Sequence, residues 1–142
     1  MDSRRGMAGT QETAAQVRLR RGAVIVVELD PTVGHEQKGL RPCVVVSDPD
    51  VVGDRRFPLV CVVPVTGTPG NGILYPALLA GFSGLTKSSY ALVDHLRSVD
   101  KRRIRRVFGE LPQDEIAAID RGLAAFLGLG SRIDGTAMPS VQ

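Results

Sequence analysis

Residues 20–47 read RRGAVIVVELDPTVGHEQKGLRPCVVVS. Two apolar runs rich in β-branched residues, Ala23 to Leu29 and Pro42 to Ser47, flank a polar loop. Such runs predict strands. Asp30-Pro31 ends the first run, since both residues favour turns. Pro42 has no backbone donor, which suits the first position of a strand. The second run is almost wholly apolar and predicts a central strand. The connection from Asp30 to Arg41 is longer than a hairpin turn requires. Long loops on rigid sheets often carry function.

Downstream the pattern continues in short runs broken by Gly and Pro. Asp48 to Arg56 is a polar connection. Leu59 to Thr66, LVCVVPVT, predicts a third strand, with Pro64 implying an edge or a bulge. Ile73 to Leu79 is a weaker fourth, interrupted by Pro76, and Ser89 to Arg97 a fifth. Ser98-Val99-Asp100 before KRRIRR opens a short basic helical turn with Asp100 as its cap. Pro112 to Leu127 reads as a helix. Pro112 fits its first turn, and Asp114 and Glu115 place acid at its positive end. Ile116, Ile119, Leu123, Phe126 and Leu127 recur as one apolar stripe, and Gly128 and Gly130 supply the stop. Several short strands with one packed helix predict a small, strongly curved antiparallel sheet or partial barrel.

The chain has 142 residues, the length of one domain. Its polar ends, residues 1–17 and 130–142, read as a flexible arm and tail around a domain over 18–129. Eighteen Lys and Arg against fifteen Asp and Glu give a net charge of +3, which suits a nucleic acid or an acidic protein partner. Cys43 and Cys61 sit in apolar runs without zinc-module spacing and read as reduced, buried thiols. No apolar stretch approaches the ~20 residues of a membrane span, and the N-terminus lacks a secretory signal's apolar core. The cytoplasm is the expected location.

Four segments hold chemistry-bearing side chains. On the opening loop, His35 and Glu36 have the character of general acids or bases, and Arg41 is a planar fork fit to clamp a phosphate. A solvated polar loop is the bland alternative. Thr66 ends the third strand and matters if it lies beside Arg41, as antiparallel pairing of strands two and three would require. Asp94, His95 and Arg97 follow a strand-like run. KRRIRR, residues 101–106, concentrates five cations in six positions, which points either to a polyanionic partner or to a solvated face. A metal site from His35, Glu36, Asp94 and His95 lacks helical ligand spacing.

Taken in order, RRGAVIVVELDPTVGHEQKGLRPCVVVS, VVPVT, GLTKSSYALVDHLRSVDKRRI and LPQDEIAAIDRGLAAFLGL resemble the MazF/PemK family of toxin endoribonucleases over residues 20–129. The resemblance implies an SH3-like barrel of the CcdB/PemK type: a small, strongly curved antiparallel sheet with a C-terminal helix. It implies a homodimeric toxin of a type II toxin–antitoxin system, cleaving single-stranded RNA without a metal ion or other cofactor. The products would be a 2′,3′-cyclic phosphate and a 5′-hydroxyl. A cognate antitoxin with an acidic, poorly ordered tail would cover the RNA channel. Arg41, Thr66 and Glu36 match the family's catalytic positions. His35, Gln37 and Lys38 on the loop fall on its substrate-binding surface, with Ser47, Asp94, His95 and Arg97. Both histidines stand where relatives usually carry another residue, and His35 is a candidate supplement to the acid–base chemistry. CcdB, with the same fold, binds DNA gyrase and cleaves nothing, which keeps a non-catalytic toxin open as the alternative.

Overall fold

The computed structural model describes residues 19–29, 39–81 and 83–130. In chain order its elements are β1 (Ala23–Leu29), β2 (Gly39–Val45), a short α1 (Pro49–Gly53), β3 (Leu59–Thr66), β4 (Ala77–Leu78), β5 (Ser89–Ala91), β6 (Arg97–Asp100), β7 (Ile104–Glu110) and α2 (Gln113–Leu127). Single 3-10 turns, Val93–His95 and Lys101–Arg103, precede β6 and β7.

All pairing is antiparallel. β2 lies between β1 and β3, while β7 takes the outer side of β1. The far edge of β3 is shared. β6 pairs with Leu59–Val62 and β5 with Val65–Thr66. The edge strands of the run β7–β1–β2–β3–β6 are thus consecutive in the chain, joined only by the Lys101–Arg103 turn. So short a link draws the edges together, and the sheet curls into a half-barrel.

Alternation along each strand sends neighbours to opposite faces. Ile25, Val27, Cys43, Val45, Val60, Val62 and Val99 fill the inside of the curl. Val24, Val44, Val63, Val65, Ala91 and Val93 face outward, where Ile116 and Ile119 of α2 cover them. Burying one such side chain contributes about 2 kcal/mol. Polar contacts fix the helix. Arg21 Nε donates to the Val46 carbonyl at 3.0 Å, and its Nη2 meets Asp120 Oδ1 at 2.6 Å. Buried Glu115 accepts from the Leu79 N–H at 2.8 Å, which ties the segment after β4 to the start of α2.

The predicted partial barrel with its helix is the observed architecture, and β1, β3 and Asp100 as cap of a helical turn stand as predicted. Several boundaries differ. β2 begins at Gly39, so Pro42 is interior. Its missing N–H faces β3, because residues 41, 43 and 45 point their donors at β1. The β2–β3 ladder accordingly stops at Cys43–Pro64. Pro64 marks no edge, since it lies where the far side of β3 passes from β6 to β5 and its carbonyl accepts from Leu92. The predicted fifth strand is therefore two strands around the Val93–His95 turn. The fourth shrinks to Ala77–Leu78 beside Pro76. The polar connection after Ser47 contains α1. Residues 104–110 form a strand the cations concealed, since register shifts opposite β1 break the alternation. On α2, Pro112 is the N-cap rather than a first-turn residue. Phe126 and Leu127 are exposed, because no described residue covers the last turn.

Candidate functional site

The register of β2 with β3 sets the site. Cys43 is opposite Pro64, and carrying that register two residues further puts Arg41 across from Thr66. Pro42 supplies no donor to hold the strands together there, so the pair ends in an open mouth. Arg41 shares the inward face of Cys43, and the same face of β6 carries Arg97, opposite Val62. Arg97 stands close enough to Cys43 to favour its thiolate, yet burial dominates and pushes that thiol up to about 12.

The Thr66 hydroxyl accepts from the Thr68 N–H at 3.1 Å. A hydroxyl that accepts in this way still has one proton to donate. Where β3 changes partner, Leu29, Pro64, Asp94, His95, Leu96, Arg97 and Ser98 surround a cleft of about 430 Å³. The Val93–His95 turn forms one wall. Its anchor is Val93, buried against Gly122 of α2, whose missing side chain allows the close approach. Asp94 accepts from the Tyr75 hydroxyl at 2.6 Å through Oδ2. That bond, with desolvation behind it, raises the Tyr75 phenol above its ordinary value. Asp94 Oδ1 is buried with no hydrogen-bond partner among the described residues, 3.8 Å from His95 Nε2. A shift of about 1 Å would close that contact. His95 itself is open to solvent.

The sequence-predicted residues divide into three groups. By the extended register Arg41 and Thr66 share the open end of β2 and β3, while Asp94, His95 and Arg97 line the cleft beside Pro64. Ser47 lies at the other end of β2, about 20 Å along the strand, where its hydroxyl accepts from the Cys61 N–H at 2.8 Å. His35, Glu36, Gln37 and Lys38 lie outside the described residues. Tyr75 was not anticipated, because nothing local in LYPA signals a partner nineteen residues on.

The cationic run is largely engaged. Lys101 Nζ donates to the Val51 and Asp54 carbonyls, Arg102 pairs with Asp100, and Arg105 with Glu28. Arg106 lies over the Phe108 ring at 4.9 Å. The run reads less as a free polyanion surface than its charge suggested. Among the described residues, no three His, Cys, Asp or Glu side chains cluster closely enough to share a metal ion, and no helix is long and apolar enough to cross a membrane.

Comparison with known proteins gives a consistent result. Residues 20–127 match the family model described as "PemK-like, MazF-like toxin of type II toxin-antitoxin system". A crystal structure of MazF from Deinococcus radiodurans is similar, with 30% identity, 78% of this chain and 97% of that chain covered, and a TM-score of 0.67. A MazE–MazF crystal structure from the same organism shows 30% identity, 79% and 97% coverage, and a TM-score of 0.63. An endoribonuclease in complex with its cognate antitoxin, from Mycobacterial species, matches at 24% identity, 79% and 97% coverage, and a TM-score of 0.63, a likeness of fold.

Proposed function

The chain belongs to the PemK-like, MazF-like toxin family of type II toxin–antitoxin systems, and from that premise we propose that it is a metal-independent, sequence-specific endoribonuclease of single-stranded RNA. It acts in the cytoplasm as a homodimer. Its restraint is a cognate antitoxin whose acidic tail occupies the RNA channel; a similar chain at 30% identity is a MazF bound to MazE. In the reaction, a ribose 2′-oxygen attacks the adjacent phosphorus and the P–O5′ bond breaks. The 2′-hydroxyl proton goes to a base and the leaving 5′-oxygen takes one up. Charge builds on the non-bridging oxygens as this happens. Arg41 answers it with two parallel N–H donors and Thr66 with its hydroxyl. Glu36 handles a proton or orders the loop, and Arg97, Asp94 and His95 hold the neighbouring nucleotide.

The observation that carries this reading is the β2–β3 register, which, carried two residues past its last pair at Cys43–Pro64, sets Arg41 across from Thr66 at an open end where a phosphate can enter. Removing one such donor costs on the order of 10²–10³ in rate. The test is incubation of purified protein with a long defined RNA in EDTA, followed by mapping of the cut ends. Cyclic phosphate and 5′-hydroxyl ends at one short motif, lost in Arg41→Ala, support the proposal. A well-folded dimer that cuts no RNA overturns it and favours a CcdB-like toxin that only binds its target.

A further inference from the structure

A second concavity adjoins Thr66 on the side away from the Asp94–His95 cleft. It is a groove of about 550 Å³, floored by Pro42, Val65, Leu85 and Phe108. Two cations, Lys87 and Arg106, line it, and among the described residues no carboxylate does. Neither cation makes an ion pair among the described residues. This sets Arg106 apart from its neighbours in the run 101–106. Its guanidinium carbon lies over the Phe108 ring at 4.9 Å, a contact that restricts where the side chain points.

Lys87 is placed just as specifically. A Cβ on Gly67 would fall 2.9 Å from both Lys87 Cε and Nζ. The lysine therefore lies across the bare backbone of Gly67, and its ammonium rests beside the residue that follows Thr66. Exposed like charges on an apolar floor with no counter-ion form a site for a polyanion. Its continuity with Thr66 selects which one.

We infer that this groove binds the single-stranded RNA backbone next to the scissile phosphate, with Lys87 and Arg106 each contacting a phosphate. The inference rests on the endoribonuclease reading and extends it to residues outside the predicted site. The strand leaves the Arg41–Thr66 pair over Gly67, with Lys87 at the first phosphate beyond the cut. It then follows the groove to Arg106, with the ribose and base edges over Leu85 and Phe108. Apolar walls raise the strength of these charge contacts by excluding water.

The test uses a fluorescein-labelled RNA with 2′-O-methyl riboses, which cannot be cut. Its affinity for the full chain is measured by anisotropy across a salt series. For a single strand, each phosphate left without its cation makes the slope of log K against log salt shallower by about 0.7. Lys87→Gln and Arg106→Gln are each expected to show that change, and the double variant about twice as much. Arg121→Gln, on the exposed side of α2, controls for net charge and is expected to keep the parent slope. Gly67→Ala keeps every charge but displaces the Lys87 ammonium, and is expected to weaken binding as well. Parent-like slopes in both cation variants overturn the groove assignment alone. A slope unchanged for RNA with weakened binding of an oligoglutamate peptide overturns it in favour of an acidic-peptide site. If the parent binds no single-stranded RNA, the endoribonuclease reading falls and this inference with it.

Discussion

Gly122→Ala sets two effects of opposite sign against each other. In the middle of a helix, replacing Gly by Ala is ordinarily worth about 1 kcal/mol of added stability, because the unfolded chain loses freedom. Gly122, however, faces the wall of the candidate site. A Cβ there would lie 2.7 Å from the Ile73 carbonyl oxygen and 3.1 Å from Val93 Cγ2. Comfortable carbon–oxygen contact begins at about 3.3 Å, so α2 would have to retreat by roughly 0.6 Å. The carbonyl cannot swing away, because it is main chain. Forced overpacking costs about 1–3 kcal/mol. The clash wins, with a net loss of about 1 kcal/mol. For a domain of this size that lowers the melting temperature by roughly 3–5 °C, which scanning calorimetry resolves. A melting temperature raised by several degrees would show that propensity acts unopposed and that α2 does not press on the Val93–His95 turn. The placement of Asp94 and His95 would then need another explanation.

Two further outcomes follow from the thiols and the turn cap. Cys43 is buried with its thiol pushed up to about 12, so at pH 8 only about one part in ten thousand is thiolate, while Cys61 is partly exposed. Iodoacetamide is expected to label Cys61 in the folded protein and Cys43 only after denaturation, as read by peptide mass spectrometry. Labelling of both at similar rates would contradict the packing of β2. Asp100 is held down to about 2, first by its hydrogen bond with the Arg102 side chain and then by the Arg102 N–H. A depressed carboxyl binds fewer protons in the folded state, so its stabilisation is complete above the unfolded value of about 3.9 and is lost as pH falls toward 2. The gap in urea midpoint between parent and Asp100→Asn is expected to close over that window. A gap constant from pH 6 to pH 2 would refute the role.

Local signals made much of this fold legible. β1 and β3 announce themselves through β-branched runs, α2 through its apolar spacing, and the Lys101–Arg103 turn through Asp100. These depend on forces between near neighbours in the chain. Arg41 and Thr66 could be named from their motifs, and their meeting expected from simple antiparallel pairing. What each residue meets across the fold was not legible. Pro64 looked like an edge marker, and only the division of β3 between β6 and β5 gave it its place at a cleft. Nothing local tells the Tyr75 hydroxyl that Asp94 will be 2.6 Å away.

The sequence by itself determined β1, β3, α2, the curl of the sheet and the family, because periodicity, turns and caps are written in consecutive residues. Tertiary structure alone decided which charges are spent and which are open. Residues 101–106 read as a uniform basic run, but Lys101 and Arg105 are drawn to partners brought close by the folding of α1 and β1, while Arg106 is left on a groove with Lys87. Charge is a property of the residue, whereas its availability depends on what long-range packing sets beside it.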